Sequence, residues 1–254
     1  TSTRVTAVDP AAHTITLEDD RKLTYGKLLL ATGGTAKRLP IEGSDLSGVH
    51  TLRRVEDADA IRDATESGKH VLILGGSFIG SEVAAGASML GADVTMVFPE
   101  ERLLERIVPR EMSEYLHEVY GARNVRILPG TVPERFMGGT HVDRVELSSG
   151  ATPNIDVAVM GVGITLNTEL AREAGLDLRD EDKAVIVNEQ LQTSNPDIYA
   201  AGDIAAWPGA HYDKRLRVEH WDVARAQGLQ AGRNMAGAAE TYEVLPYFFS
   251  DLFD

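Results

Sequence analysis

The stretch Val71-Leu-Ile-Leu-Gly-Gly-Ser-Phe-Ile-Gly-Ser-Glu82 limits the possible folds more than any other part of the chain. Val71 to Leu74 is an uninterrupted apolar run and reads as a short buried strand. It passes into Gly75-Gly76-Ser77-Phe78-Ile79-Gly80, then into an alanine-rich helical pattern from Glu82 to Leu90. Strand, glycine turn and helix in that order are what a bound dinucleotide requires. Gly75 makes the tight turn, Gly80 lets the helix pack closely on the strand, and the free N–H groups at the helix start face the pyrophosphate. The unit lies mid-chain, so other structure is already under way before it.

Its surroundings strengthen the reading. Val94 to Phe98 is the second strand of the unit, and Glu100 follows it, twenty residues past Gly80. A carboxylate there can accept both hydroxyls of an adenosine ribose, which favours NAD over NADP. Arg102 and Arg106 come next and could instead serve a 2′-phosphate. Ser77 stands where the fingerprint has its second glycine; its hydroxyl either donates to a phosphate or merely fits. Glu82 reads as part of the helix's first turn, where the helix dipole alone favours a carboxylate; the alternative is a residue facing the nicotinamide.

Elsewhere, Thr14–Leu17, Lys22–Tyr25 and Lys27–Ala31 read as short strands, with Glu18-Asp19-Asp20 making the first hairpin turn. Helical patterns cover Val55–Thr65, Glu111–Tyr120 and Trp221–Met235. Val125–Leu128 is a third strand of the central unit. Val142–Leu147 and Ile155–Met160 bracket Ser148-Ser149-Gly150 and suggest a hairpin. Asp197–Ala201 is a buried strand running into Gly202-Asp203, a strand end of the kind where α/β sheets hold ligands, or an ordinary turn with an Asp cap. Asp222 reads as the N-cap of the last helix. Alternating strands and helices over residues 70–130 predict a parallel sheet, hence an α/β fold.

The 254 residues suffice for one large or two ordinary domains. A net charge of −14 argues against nucleic acid as a partner. No apolar run reaches the roughly 18 residues of a membrane span, so no membrane is expected. With no cysteine, the chain has no disulfide and no redox thiol pair, which is compatible with a cytoplasmic setting. The seven histidines show no metal-ligand spacing, so no metal is expected.

In order along the chain, Tyr25-Gly-Lys-Leu-Leu-Leu-Ala-Thr-Gly33, the Gly75 fingerprint, Gly161-Val-Gly-Ile-Thr-Leu-Asn167 and Ile198-Tyr-Ala-Ala-Gly-Asp203 resemble the FAD-dependent pyridine nucleotide-disulfide oxidoreductases. Val218-Glu-His-Trp-Asp222 and Pro246-Tyr-Phe-Phe-Ser-Asp-Leu-Phe253 are similar to the branch holding rubredoxin, ferredoxin and putidaredoxin reductases and apoptosis-inducing-factor-like proteins.

The resemblance implies two nested Rossmann-like domains. Residues 1–48 and 167–245 would be parts of an FAD domain, 49–166 an inserted NAD(P) domain, and 246–254 the start of a C-terminal domain. It implies that Thr32, Gly33, Gly202 and Asp203 touch FAD, and that Glu219, His220 and Trp221 lie beside the isoalloxazine and nicotinamide. Glu82 would face the nicotinamide or flavin as the catalytic position. Gly75, Gly76, Ser77, Phe78, Ile79, Gly80, Glu100, Arg106 and Gly163 would hold NAD.

Ala36-Lys37 stands where the family carries Pro-Arg, so Lys37 replaces that arginine among the flavin-side candidates. Leu166 stands where a proline usually precedes the Asn. The family's N-terminal fingerprint for the ADP half of FAD, the lysine near the flavin and the body of the C-terminal domain do not occur, so the chain reads as a fragment with an incomplete FAD domain. The implied activity is electron transfer from NADH through FAD to a small iron–sulfur protein, in a homodimer formed through the C-terminal domain. The alternatives are a slow, NADH-responsive regulatory flavoprotein and a fragment that binds only NAD.

Overall fold

The structure is a computed structural model describing residues 2–253. The chain divides into two compact units, one of residues up to 35 with 165–249, the other of 36–164 with 250–253. One unit is thus inserted into the sequence of the other.

The inserted unit is built on five parallel strands. In sheet order these are Val49–Thr51, Val157–Met160, His70–Leu74, Asp93–Phe98 and Val125–Pro129. Helices Val55–Ala64, Phe78–Met89 and Arg110–Gly121 connect successive strands, as parallel pairing demands. The alternation within Val71-Leu72-Ile73-Leu74 explains the unbroken apolar run. Val71 and Ile73 join Met96, Phe98, Ala84 and Tyr120 in a helix-side core. Leu72 and Leu74 join Val97, Phe136, Val145 and Met160 on the other face. A strand buried on both faces leaves no position for a polar residue.

That second face is covered by Pro133–Gly138 paired antiparallel with Val142–Leu147. This corrects the expected hairpin. Val142–Leu147 does turn back at Ser148-Ser149-Gly150, but the returning arm is 151–155, with Leu147 N–H donating to the Ala151 carbonyl and Val145 N–H to that of Pro153. Val157–Met160 then enters the parallel sheet between Val49–Thr51 and His70–Leu74. Its four residues are all buried, which suits an interior strand and not a hairpin arm with one wet face.

The discontinuous unit carries an antiparallel sheet of Val5–Asp9, Thr14–Leu17 and Lys22–Thr24. Leu28–Leu30 pairs in parallel with Ile198–Ala200. Val185–Ile186, Ala205–Pro208 and Arg215–Leu216 form a third sheet. Helix Trp221–Met235 buries Val223, Gln227, Ala231 and Asn234. Asn234 ties its end down, donating to the carbonyls of Gln190 and Glu240 at 2.9 Å. Among the described residues, no helix is long and apolar enough to cross a membrane.

Candidate dinucleotide and flavin sites

In the inserted unit three glycines are packed backbone to backbone. Gly75 has φ +116°, and a Cβ on it would lie 2.3 Å from the Gly161 carbonyl oxygen. A Cβ on Gly80 would lie 2.0 Å from the Gly75 carbonyl oxygen, and one on Gly161 only 3.1 Å from Gly80 N. No larger residue fits without moving main chain, so the start of helix Phe78–Met89 is drawn against the ends of two neighbouring strands. Gly75 N–H donates to Val97 O at 2.9 Å and Gly161 N–H to Leu74 O at 2.7 Å, which fixes the turn to the sheet. Gly161 is a further site residue, outside the glycine fingerprint itself. Its signal was a glycine directly after a buried strand.

Ser77 is the N-cap of this helix, extended at φ −102° and ψ −173°, and its hydroxyl caps no backbone N–H. A Cβ on Gly76 would meet the Phe98 ring at 2.8 Å, so this glycine answers to packing. The helix starts at Phe78, four residues before Glu82. Glu82 therefore sits in the second turn, not the first, and the helix-dipole explanation weakens because the effect fades beyond one turn. Glu82 is exposed and accepts a hydrogen bond from the Ser250 hydroxyl at 2.7 Å.

A cavity of about 460 Å³ opens at this end of the sheet, lined by Gly75, Gly76, Ser77, Phe98, Glu100, Arg106 and Gly163 among others. The structure thus brings most of the NAD-side candidates to one cleft; Phe78, Ile79, Gly80 and Glu82 lie outside its lining. Glu100 is 27% exposed, with Arg106 3.4 Å away on an 84% exposed side chain. Arg102 is turned to Glu105 at 3.1 Å and is only 20% exposed, leaving Arg106 as the cation of the cleft wall. Gly163 has φ +93° and open space around it. The residues present fit a dinucleotide: the glycines clear the main chain, the Ser77 hydroxyl is uncommitted to capping, and a carboxylate lines the same cleft.

In the discontinuous unit, Gly33 (φ +62°) and Gly202 (φ +78°) both occupy the left-handed region. Asn167 stitches the Thr32 turn. Its Nδ2 donates to Thr32 O at 3.0 Å, its N–H donates to Gly33 O at 2.9 Å, and its carbonyl accepts from the Thr32 hydroxyl. Gly202 N–H donates to Gln227 Oε1 at 2.8 Å; Gln227 is fully buried, and its Nε2 has no partner. An orphaned buried donor beside the Gly202-Asp203 turn suits a site that an acceptor group completes. The turn fits the ribityl side of a flavin to that extent.

Asp203 is half-buried, and its carbonyl accepts from Arg217 Nη1 at 3.3 Å. Arg217 also pairs with Asp182 at 2.6 Å and Glu219 at 2.7 Å. The Arg179 guanidinium, then the Ala184 N–H and Arg217, holds the Asp182 carboxyl well below the usual carboxylate range. Sequence reasoning missed this Arg217 junction, since salt-bridge partners 35 residues apart leave no local pattern. His220, not Asp222, is the N-cap of the last helix, its Nδ1 accepting from Asp222 N at 3.2 Å. Trp221 is 67% exposed. Lys37 falls in the inserted unit with an exposed side chain, its N–H donating to Gly163 O at 2.9 Å. Among the described residues, no cluster of His, Asp or Glu could hold a metal ion.

Residues 1–228 match the pyridine nucleotide-disulphide oxidoreductase family. The chain belongs to that family. It is 35% identical, over 99% of its length, to the ferredoxin–NAD(+) reductase component of the anthranilate 1,2-dioxygenase system of Burkholderia cepacia, and covers 61% of that protein. It is also 35% identical to a chloroplastic/mitochondrial monodehydroascorbate reductase of Arabidopsis thaliana, covering 98% of this chain and 51% of that one. Among solved structures, a ferredoxin reductase from Rhodopseudomonas palustris superposes with a TM-score of 0.94 at 32% identity, over 100% of this chain and 62% of that one. A covalent putidaredoxin reductase–putidaredoxin complex matches with the same score and identity over 99% of this chain and 61% of that one. The chain therefore spans half to three fifths of the relatives it matches. The α/β fold, with one unit inserted in the sequence of the other, matches the nested dinucleotide-binding architecture of this family.

Proposed function

We propose that the full-length protein is an FAD-dependent NAD(P)H oxidoreductase that passes electrons from NADH through flavin to a small iron–sulfur protein of the ferredoxin or rubredoxin kind. The observation that carries this is the cleft joining the Gly75 turn, Ser77 and Glu100 in the inserted unit. The relatives named as ferredoxin–NAD(+) and putidaredoxin reductases support the choice of acceptor.

In this reading Gly75, Gly76, Ser77 and Gly80 seat the pyrophosphate and Glu100 accepts from the adenosine ribose. Arg106, already paired to Glu100, gives less help to a 2′-phosphate, so NADH is preferred. Thr32, Gly33, Gly202 and Asp203 hold the flavin, and Glu219, His220 and Trp221 flank its ring. Glu82 faces the nicotinamide. FAD, when bound, supplies the redox chemistry between a hydride donor and a one-electron acceptor. The protein's part is to bind and orient, and no nucleophile is needed.

The domain division 1–48, 49–166, 167–245 and 246–254 belongs to the proposal; the compact units share its plan of an insertion but break at 35/36, 164/165 and 249/250. A homodimer through the C-terminal domain belongs to it too, as does a cytoplasmic setting, with which the cysteine-free sequence is compatible. Steady-state NADH oxidation with ferricyanide and with a ferredoxin tests the function. Fast turnover with the ferredoxin is expected. Slow turnover with both acceptors, with NADH changing the assembly state instead, would replace it by the regulatory reading.

A further inference from the structure

Residues 250–253 pack with the inserted unit, although residues 165–249 belong to the other. Leu252 and Phe253 lie against its helix-side core. The Phe253 ring meets Tyr120 edge-on at 4.7 Å between centroids, and the Arg123 guanidinium covers it at 4.6 Å. Tyr120 is fully buried and donates its hydroxyl to the Ser81 carbonyl at 2.8 Å. Three residues before Phe253, the Ser250 hydroxyl donates to Glu82 Oε1 at 2.7 Å. The terminal strap therefore grips one turn of helix Phe78–Met89 twice: at Ser81 through Tyr120, and at Glu82 directly.

We propose that Ser250 is a positioning residue for Glu82, holding its carboxylate in one orientation for the nicotinamide, with Phe253 as the anchor that keeps Ser250 in place. Glu82 is exposed, and a free glutamate samples several rotamers at an entropic cost on ordering. A charge-assisted hydroxyl–carboxylate bond of this length selects one of them and occupies one oxygen, leaving the other to meet a ligand. The donor must itself be fixed, and an aromatic ring held between Tyr120 and Arg123 fixes the strap within a few residues of it. The inference rests on the reading that Glu82 faces the nicotinamide.

The test uses the flavin-loaded full-length protein and the variants Ser250→Ala, Ser250→Thr, Phe253→Ala, Glu82→Ala and Glu82→Ala/Ser250→Ala. Anaerobic rapid mixing with NADH gives the flavin-reduction rate and the NADH dissociation constant separately, and calorimetry gives NAD+ affinity without turnover. Ser250→Ala and Phe253→Ala are expected to slow flavin reduction about fivefold, the weight of one hydrogen bond, with Ser250→Thr restoring it. In the Glu82→Ala background, removing Ser250 is expected to change nothing further, because coupled residues are not additive. If Glu82→Ala matters but Ser250→Ala does not, or acts equally without Glu82, the positioning role is overturned while the Glu82 reading stands. If Glu82→Ala is itself silent in both assays, that reading fails and takes this inference with it.

Discussion

The Gly75 turn and the Gly202 turn are both glycine turns at strand ends, yet glycine is required for different reasons. At Gly80 and Gly161 the demand is steric, with added Cβ atoms 2.0 and 3.1 Å from backbone atoms, and at Gly75 a 2.3 Å clash with main chain is added to a φ of +116°. At Gly202 it is conformational: φ is +78°, but the nearest atom to a Cβ would be 3.4 Å away. The first turn is jammed between strands of a complete five-stranded sheet and opens on a formed cleft. The second follows a pair of parallel strands and leaves a buried Gln227 donor unpartnered. One site is closely packed around a formed cleft; the other has left-handed turn geometry and a buried donor without a partner.

This contrast can be broken by substitution. The largest effect is expected at Gly80→Ala, which should cost about 3 kcal/mol or more by overpacking against main chain, seen as a fall in the thermal midpoint of the inserted unit. A loss under about 1 kcal/mol would show that the turn can relax after all. Next, Glu100→Ala should weaken NADH binding by about 1–3 kcal/mol, the penalty of a lost charged hydrogen bond, with NADPH hurt less. Equal losses for both cofactors would remove Glu100 from the ribose. Gly202→Ala should cost about 1–2 kcal/mol of stability from the left-handed backbone alone, and Gly202→Asn less. Parity of the two variants would point to a steric demand like that at Gly80.

A smaller effect separates the units by pH. The Asp182 carboxyl titrates below its ordinary value because of Arg179 and Arg217. Its contribution is therefore fully present above the unfolded carboxylate range, about pH 4, and is lost as pH falls through the folded value. Asp182→Asn should flatten the acid limb of the discontinuous unit's stability curve; an unchanged limb would show the pairs to be solvent-screened. The smallest change is expected at Trp221→Ala. With the ring 67% exposed, stability should move by less than about 0.5 kcal/mol, measured by denaturant titration.

Much of the inserted unit was legible because its signals are local. The apolar run at Val71–Leu74, the glycines just after it and the acid at Glu100 each declare themselves within a few residues. Helix Trp221–Met235 was read to its observed ends for the same reason. What failed depended on distant partners. Val157–Met160 looked like a hairpin arm because its parallel neighbours, Val49–Thr51 and His70–Leu74, lie a hundred residues away or nearly so. Glu82 looks like a first-turn residue in sequence because the helix start at Phe78 hides among glycines that have little helix propensity. The cap at His220 went unseen because Asp222 is the commoner capping residue. Arg217 and the grip of Phe253 on Tyr120 become visible only once the chain has folded back on itself.

In the proposed function the NADH bound at the Gly75 cleft reduces a bound flavin. An anaerobic titration of the flavin-loaded full-length protein with NADH tests it most directly, followed by the visible absorbance of the flavin. Stoichiometric bleaching of the flavin is expected, with Glu100→Ala needing more NADH to reach the same end point. NADH that binds while the flavin stays oxidised would contradict it.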